Sequence, residues 1–260
     1  MSGMGPSSTT MRLSLVMKSF LPFAARFLAR HPTRLDLLSR HWRNYSGRAA
    51  GLKTLTGRES HLIESLFHEL ECRSEPFDLW SGWSVEPIHP AVYYVLVRLT
   101  KPDVVVETGV CEGNSSRFIL LALQHNAHGI LHSIDLPNAD LDLGEGKGRQ
   151  AHVHAEGKEV GWMVPDDLRK HWTLHLGDAR ELLPGVLKKL GNIDMFIHDS
   201  LHSYEHMMFE FHAAWPHLRR NGILLSDDTD WNDAFGVFCK EKRCVPTFFN
   251  YRVGAVRKEG

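Results

Sequence analysis

DVVVETGVCEGNSS, residues 103–116, decides the fold. Asp103–Glu107 is a nearly continuous run of β-branched apolar residues. Such a run suits a strand buried on both faces of a parallel sheet, not one that alternates between core and water. Gly109 and Gly113 follow, and a helix is predicted over 115–124. Glycines at a strand-to-helix turn let the backbone bend tightly and approach a ligand closely. The helix start beyond them presents unpaired N–H groups that can receive an anion.

Outward from this unit, strands and helices alternate. Strands are predicted at 129–135, 171–176, 193–198 and 222–226, and helices at 91–99, 179–190, 204–218 and 232–242. Two short strands near Asn250–Gly254 form an expected antiparallel pair. Alternation of this kind builds a doubly wound sheet. The predicted fold class is therefore α/β: a Rossmann-like, doubly wound, mostly parallel sheet with an antiparallel C-terminal strand pair, preceded by an N-terminal helical region. Trp215, Phe209 and Phe211, on the helix after the fourth strand, are predicted to be core. The domain boundary is placed between 1–85, a basic helical region with its linker, and 86–260. Within the latter, 136–170 follows a strand end and reads as a lid insertion.

Ligands of open α/β sheets bind beyond the carboxyl ends of the strands, so the residues just after each strand carry the chemistry. Glu107 closes the first strand and Asp135 the second, where an acid can accept from both hydroxyls of a ribose. Asp178-Ala179 follows the third, where an acid can meet an adenine edge. Asp178 is also well placed to cap the next helix. Asp199 follows the fourth strand, and Asp227-Asp228 the fifth. Three carboxylates in one crevice repel one another unless a cation lies among them, and hard oxygen donors suit Mg²⁺ or Mn²⁺ better than zinc. Asp227-Asp228 can alternatively cap the following helix.

On these residues, 103–228 resembles a class I S-adenosylmethionine-dependent methyltransferase of the type 24 family. It is similar to metal-dependent sugar and macrolide O-methyltransferases. The resemblance implies cofactor-binding roles for Glu107, Gly109, Gly113, Ser115, Asp135, Asp178 and Ala179. It also implies a metal site at Asp199, Asp227 and Asp228, with His202 as catalytic base. The implied reaction is methylation of a hydroxylated small molecule, in which the ion lowers the hydroxyl pKa and the histidine takes the proton. One departure stands out. Cys111 and Glu112 lie between the glycines, and a carboxylate there disfavours a phosphate-bearing cofactor.

Two other functions compete. An NAD-dependent oxidoreductase is disfavoured because the loop has only Gly109 and Gly113, not Gly-x-Gly-x-x-Gly. A non-catalytic cofactor-binding scaffold would use the N-terminal region for interaction. That region is basic: Arg12, Lys18, Arg26, Arg30, Arg34, Arg40, Arg43 and Arg48 stand against one acid, Asp36, within the first 50 residues of a chain whose net charge is −1. Amphipathic helices over Met11–Arg43 are expected to pack on the domain or on a second subunit, giving a homo-oligomer, with weak contact to anionic membranes as a lesser role. Ser46–Gly51 reads as a linker, and no specific nucleic-acid binding is expected. The 43% hydrophobic content is ample for a core. Cys72, Cys111, Cys239 and Cys244 contain no C-x-x-C pair and no disulfide framework. With no transmembrane or signal segment visible, the expected location is the cytoplasm.

Overall fold

The computed structural model describes residues 48–73, 88–137, 140–142, 149–151, 158–249 and 252–259. The expectations for Met11–Arg43 lie outside the described residues. A helix covers 48–56 (α1), followed by α2 (Ser60–Arg73) and α3 (Ile88–Thr100). Then come β1 (Val104–Thr108), α4 (Asn114–Asn126), β2 (Ile130–Asp135) and a small ribbon of β3 (Asp140–Asp142) and β4 (Arg149–Ala151). A 3₁₀ turn leads into β5 (Trp172–Leu176), α5 (Ala179–Leu190), β6 (Ile193–His198), α6 (Tyr204–His217), β7 (Leu218–Ser226), α7 (Ala234–Glu241), β8 (Thr247–Phe248) and β9 (Gly254–Arg257).

The main sheet has seven strands in the order β5-β2-β1-β6-β7-β9-β8. Pairings from β5 across to β7 are parallel, while β9 runs antiparallel to both β7 and β8. The chain winds outward from β1 through β2 to β5, then returns to lay β6 on the other side of β1. This reversal opens a crevice at the carboxyl ends of β1 and β6, the switch point where ligands of such sheets bind.

Alternate strand residues feed two cores, one on each face. Val105, Met195, Ile197 and Leu225 join α1–α4 on one side. Val106, Phe196, Leu224 and Val256 join α5, α6 and α7 on the other. Phe211 lies fully inside the second core, with Phe209 and Trp215 partly buried against it. All six residues of β6 are buried, as its apolar run requires.

The structure differs from the sequence reading at three boundaries. Residues 48–51 are helical rather than linker. Leu52 is fully buried on that helix, and Gly51 lies so close to the Phe249 ring that an added Cβ would come within 2.9 Å of it. α3 starts at Ile88, ahead of the expected 91, because Pro90 falls in the first helical turn, where its missing N–H costs nothing. β7 starts at Leu218, which pairs with Ile193 ahead of a register shift. Among the described residues no helix is long and apolar enough to cross a membrane.

Candidate active site

Gly109 has φ +83, and a Cβ on it would lie 1.9 Å from the Asp199 carbonyl oxygen. The ends of β1 and β6 therefore meet only because residue 109 has no side chain. Gly113, with φ +91, is tight against Val164 and Gly161, so the segment after β4 lies directly over the loop. Gly161 N–H donates to Cys111 O and Met163 N–H to Glu112 O, at 2.8 and 2.9 Å, pinning that cover in place. The lid expected at 136–170 is, in its last third, a fixed wall. Cys111 itself sits at φ +57, and burial pushes its thiol up to about 12, so it is a neutral lining group.

Asp135, at the end of β2, is 4% exposed. Its Oδ2 accepts the backbone N–H groups of Val110 and Cys111 at 2.7 and 2.9 Å. Its Oδ1 is buried with no hydrogen-bond partner. A buried acceptor left in that condition is costly unless something donates to it, which is the requirement a bound hydroxyl meets.

Glu107 is differently placed. Ser115 Oγ donates to its Oε1 at 2.6 Å, and Ser116 and Ser133 Oγ donate to its Oε2 at 2.6 and 2.8 Å. Burial raises its pKa against the pull of those three hydroxyls. Both Glu107 and Ser115 thus face each other, holding the start of α4 against β1 and β2. Asp178 accepts the Arg180 N–H at 2.7 Å and caps α5. Ala179, behind it, is buried in the core.

The second half of the crevice is acidic. Asp199 keeps 31% of its side-chain surface but sits low in the crevice. Burial, then Asp227, Asp228 and Glu107, push its carboxyl well above the ordinary range. Asp227 and Asp228 are each 7% exposed, and Asp228 is held in a left-handed conformation at φ +49. His202 is 6% exposed; its Nε2 lies 3.8 Å from Asp199 Oδ1 and its Nδ1 3.7 Å from Asp228 Oδ2. Burial, then His198, hold it down to about 3, so it is uncharged at neutral pH. The structure therefore brings Asp199, His202, Asp227 and Asp228 together, as their positions after β6 and β7 predict.

The predicted ligands do not fit a three-carboxylate metal site as they stand. Arg252, arriving from the C-terminal hairpin, donates to Asp228 Oδ1 through Nε at 2.8 Å and also through Nη2. Asp227 Oδ1 accepts the Asp228 N–H at 2.8 Å. Among the described residues, no three His, Cys, Asp or Glu side chains are grouped so as to hold a metal ion. A cation does lie among the acids, and it is a guanidinium.

Sequence reasoning missed four residues here. Arg252 is separated from Asp228 by 24 positions in an irregular stretch. Trp231, 48% exposed, tilts against His202 with ring centroids 5.2 Å apart at the crevice mouth. Tyr93 on α3 is 1% exposed, and its hydroxyl has no hydrogen-bond partner. Burial and then the charges of Asp227, Asp199, Glu107 and Asp228 raise its pKa. Glu210 lies under the floor of the crevice. None of the four belongs to a local motif, so no spacing in the sequence singles them out.

Residues 106–229 match the family model described as a methyltransferase domain, type 24. The matched stretch runs from β1 to just past β7 and so takes in the strand ends that form the crevice. The solved O-methyltransferase NovP is similar in fold, with a TM-score of 0.53 at 16% identity over 77% of this chain and 97% of NovP. Structures of TomG from Streptomyces achromogenes (TM-score 0.49, 16% identity, 78% of this chain and 92% of TomG) and CalS11, a calicheamicin methyltransferase (0.49, 17%, 82% and 91%), also align. No curated protein sequence matches the chain.

Proposed function

We propose that this protein transfers the methyl group of S-adenosylmethionine to a hydroxyl of a small molecule. One observation carries the cofactor: the buried, unpartnered Oδ1 of Asp135, beside the Gly109–Gly113 loop at the switch point. Asp135 accepts from a ribose hydroxyl there, and its other oxygen keeps the loop closed beneath the cofactor. The acidic crevice next to it suits the positive sulfonium. Oxygen as acceptor atom is supported by the name of NovP and by the proton-accepting groups at hand.

In the reaction the acceptor oxygen forms a bond to the methyl carbon, the carbon–sulfur bond breaks, and the hydroxyl proton leaves to a base. Burial holds His202 down to about 3, which keeps it unprotonated at neutral pH but makes it a weak base by itself, while burial and then Asp227 and Asp228 raise Asp199 beside it into a stronger one. We assign proton removal to this pair, with His202 as the group that meets the hydroxyl. Trp231 offers an apolar face to the acceptor at the mouth. The basic N-terminal region is assigned to packing on the domain or on a second copy. Deletion of residues 1–45 should lower thermal stability or change oligomeric state.

The cofactor assignment is tested by calorimetry with S-adenosylhomocysteine. Asp135→Ala should weaken binding by about 1.5–3 kcal/mol, the usual worth of hydrogen bonds to a charged group. Unchanged affinity would remove Asp135 from the site. NAD(H) binding by the wild type would instead favour the oxidoreductase.

Metal assistance is the second reading, favoured by three carboxylates in one crevice, where burial and then the charges of Asp227 and Asp228 raise Asp199. Asp199, Asp227 and Asp228 would hold a Mg²⁺ or Mn²⁺ ion once Arg252 released Asp228, and the ion would supply Lewis acidity to the hydroxyl. Because Arg252 occupies that position, turnover is expected to persist in excess EDTA. Loss of activity in EDTA, restored by Mg²⁺, would establish the second reading.

A further inference from the structure

Beneath the crevice lies a carboxylate that neither methyl transfer nor cofactor binding uses. Glu210, on α6, is fully buried. Four side chains donate to it. Thr108 Oγ1 and His198 Nδ1 meet Oε2 at 2.5 and 2.6 Å, and Ser200 Oγ and His206 Nε2 meet Oε1 at 2.8 and 2.9 Å. An ionised carboxylate only accepts, so each histidine nitrogen facing it must carry a proton. This fixes His198 with its proton on Nδ1 and His206 with its proton on Nε2.

The donors are not scattered. His198 and Ser200 are the residues on either side of Asp199. Thr108 is the residue whose carbonyl accepts the Asp199 N–H at 2.9 Å. His198 O in turn accepts the Asp227 N–H at 2.9 Å, and the His198 ring stands edge-on to His202 with centroids 5.4 Å apart. A single anion on α6 thus ties together the ends of β1 and β6 and the loop that carries both reacting side chains. We propose that Glu210 is a positioning residue of the site: its charge fixes the tautomer of His198 and the backbone on both sides of Asp199, and so sets where Asp199 and His202 stand. This rests on the methyl-transfer reading for the meaning of the site, but not for the geometry.

A glutamine at 210 would keep the shape and fail chemically. Its amide has one accepting oxygen in place of two, so on its NH₂ side the hydroxyl would have to turn to accept and the facing imidazole would have to change tautomer. The segment from Ser200 to His202 would have to shift, while the glycine turn, held by its bonds to Asp135 and its close contact with the Asp199 backbone, would stay.

Two measurements on the full chain test this: calorimetric titration with S-adenosylhomocysteine, and NMR of the histidine ring nitrogens. Wild-type protein is expected to show His198 protonated at Nδ1 and His206 at Nε2. In Glu210→Gln the His202 ring signals should move, while the S-adenosylhomocysteine Kd stays within about twofold, as for sites that do not share partners. Thr108→Val, which removes one of four donors and leaves the charge, should move the same His202 signals in the same direction by less; it decides the matter if Glu210→Gln does not fold. His198 protonated at Nε2 in the wild type, His202 signals unmoved by the variants, or cofactor affinity falling in step with them would each overturn the proposal. Failure of wild-type protein to bind S-adenosylhomocysteine would overturn the functional reading alone, because the histidine signals still report on Glu210.

Discussion

Gly109→Ala is expected to abolish measurable S-adenosylhomocysteine binding and to destabilise the chain by about 3 kcal/mol or more. Two costs combine. An L side chain at φ +83 is strained by about 1–2 kcal/mol. In addition, its Cβ would overlap the Asp199 carbonyl at 1.9 Å. That carbonyl belongs to backbone already fixed by the Asp199 N–H to Thr108 O bond at 2.9 Å, so relief requires β1 and β6 to part at their ends. Parting them displaces Val110 and Cys111, whose N–H groups hold Asp135, together with Asp199. Gly185→Ala is the matched control. It lies inside α5 with nothing within 4 Å of its added Cβ, so alanine there should stabilise by about 0.5–1 kcal/mol. Urea midpoints and calorimetry on the two variants check both signs. A Gly109→Ala protein with the wild-type midpoint would mean the strand ends are not in contact.

The same contrast explains what could be read before any coordinates. Val104–Val106 announced a doubly buried strand because its neighbours on both faces are apolar, a property written in the strand itself. Asp135 was legible because a parallel sheet with this alternation puts strand ends at the crevice, whatever the side chains around them. Glu107 shows the limit of that logic. Ser115, Ser116 and Ser133 donate to both of its oxygens, and no strand-end rule supplies those partners. Asp228 shows another limit. Reading three acids as a demand for a cation was sound electrostatics, but the sequence could not say which cation, and Arg252 reaches it only because the C-terminal hairpin folds back beside β7. Helix 48–56 escaped notice for a similar reason: its burial is defined by Phe249, about two hundred residues away.

Glu210 makes the most demanding prediction on stability, and its sign follows from linkage. Burial alone would raise the pKa of this carboxyl, but the electrostatic pull and hydrogen bond of His198 and the hydrogen bond from His206 overcome it and hold the folded value far below normal. A carboxyl depressed on folding stabilises the native state above its unfolded pKa of about 4.3, and that stabilisation is lost as pH falls towards the folded value. Glu210→Gln never carries the charge. At pH 7 it should be less stable than wild type by about 3–5 kcal/mol, the cost of leaving buried donors and a buried imidazole without their anion. Below pH 4.3 the unfolded wild-type chain takes up a proton that the folded chain refuses, so its lead should shrink by up to ~1.4 kcal/mol per unit of pH. Asp199 and Glu107, whose folded values are raised, act in the opposite sense, but they are present in both proteins and cancel in the difference. The measurement is a pair of urea curves at pH 7, 5, 4 and 3.5. A gap that stayed constant down to pH 3.5 would mean that Glu210 is not preferentially ionised in the fold, and the buried clamp beneath Asp199 would then be neutral hydrogen bonding rather than charge.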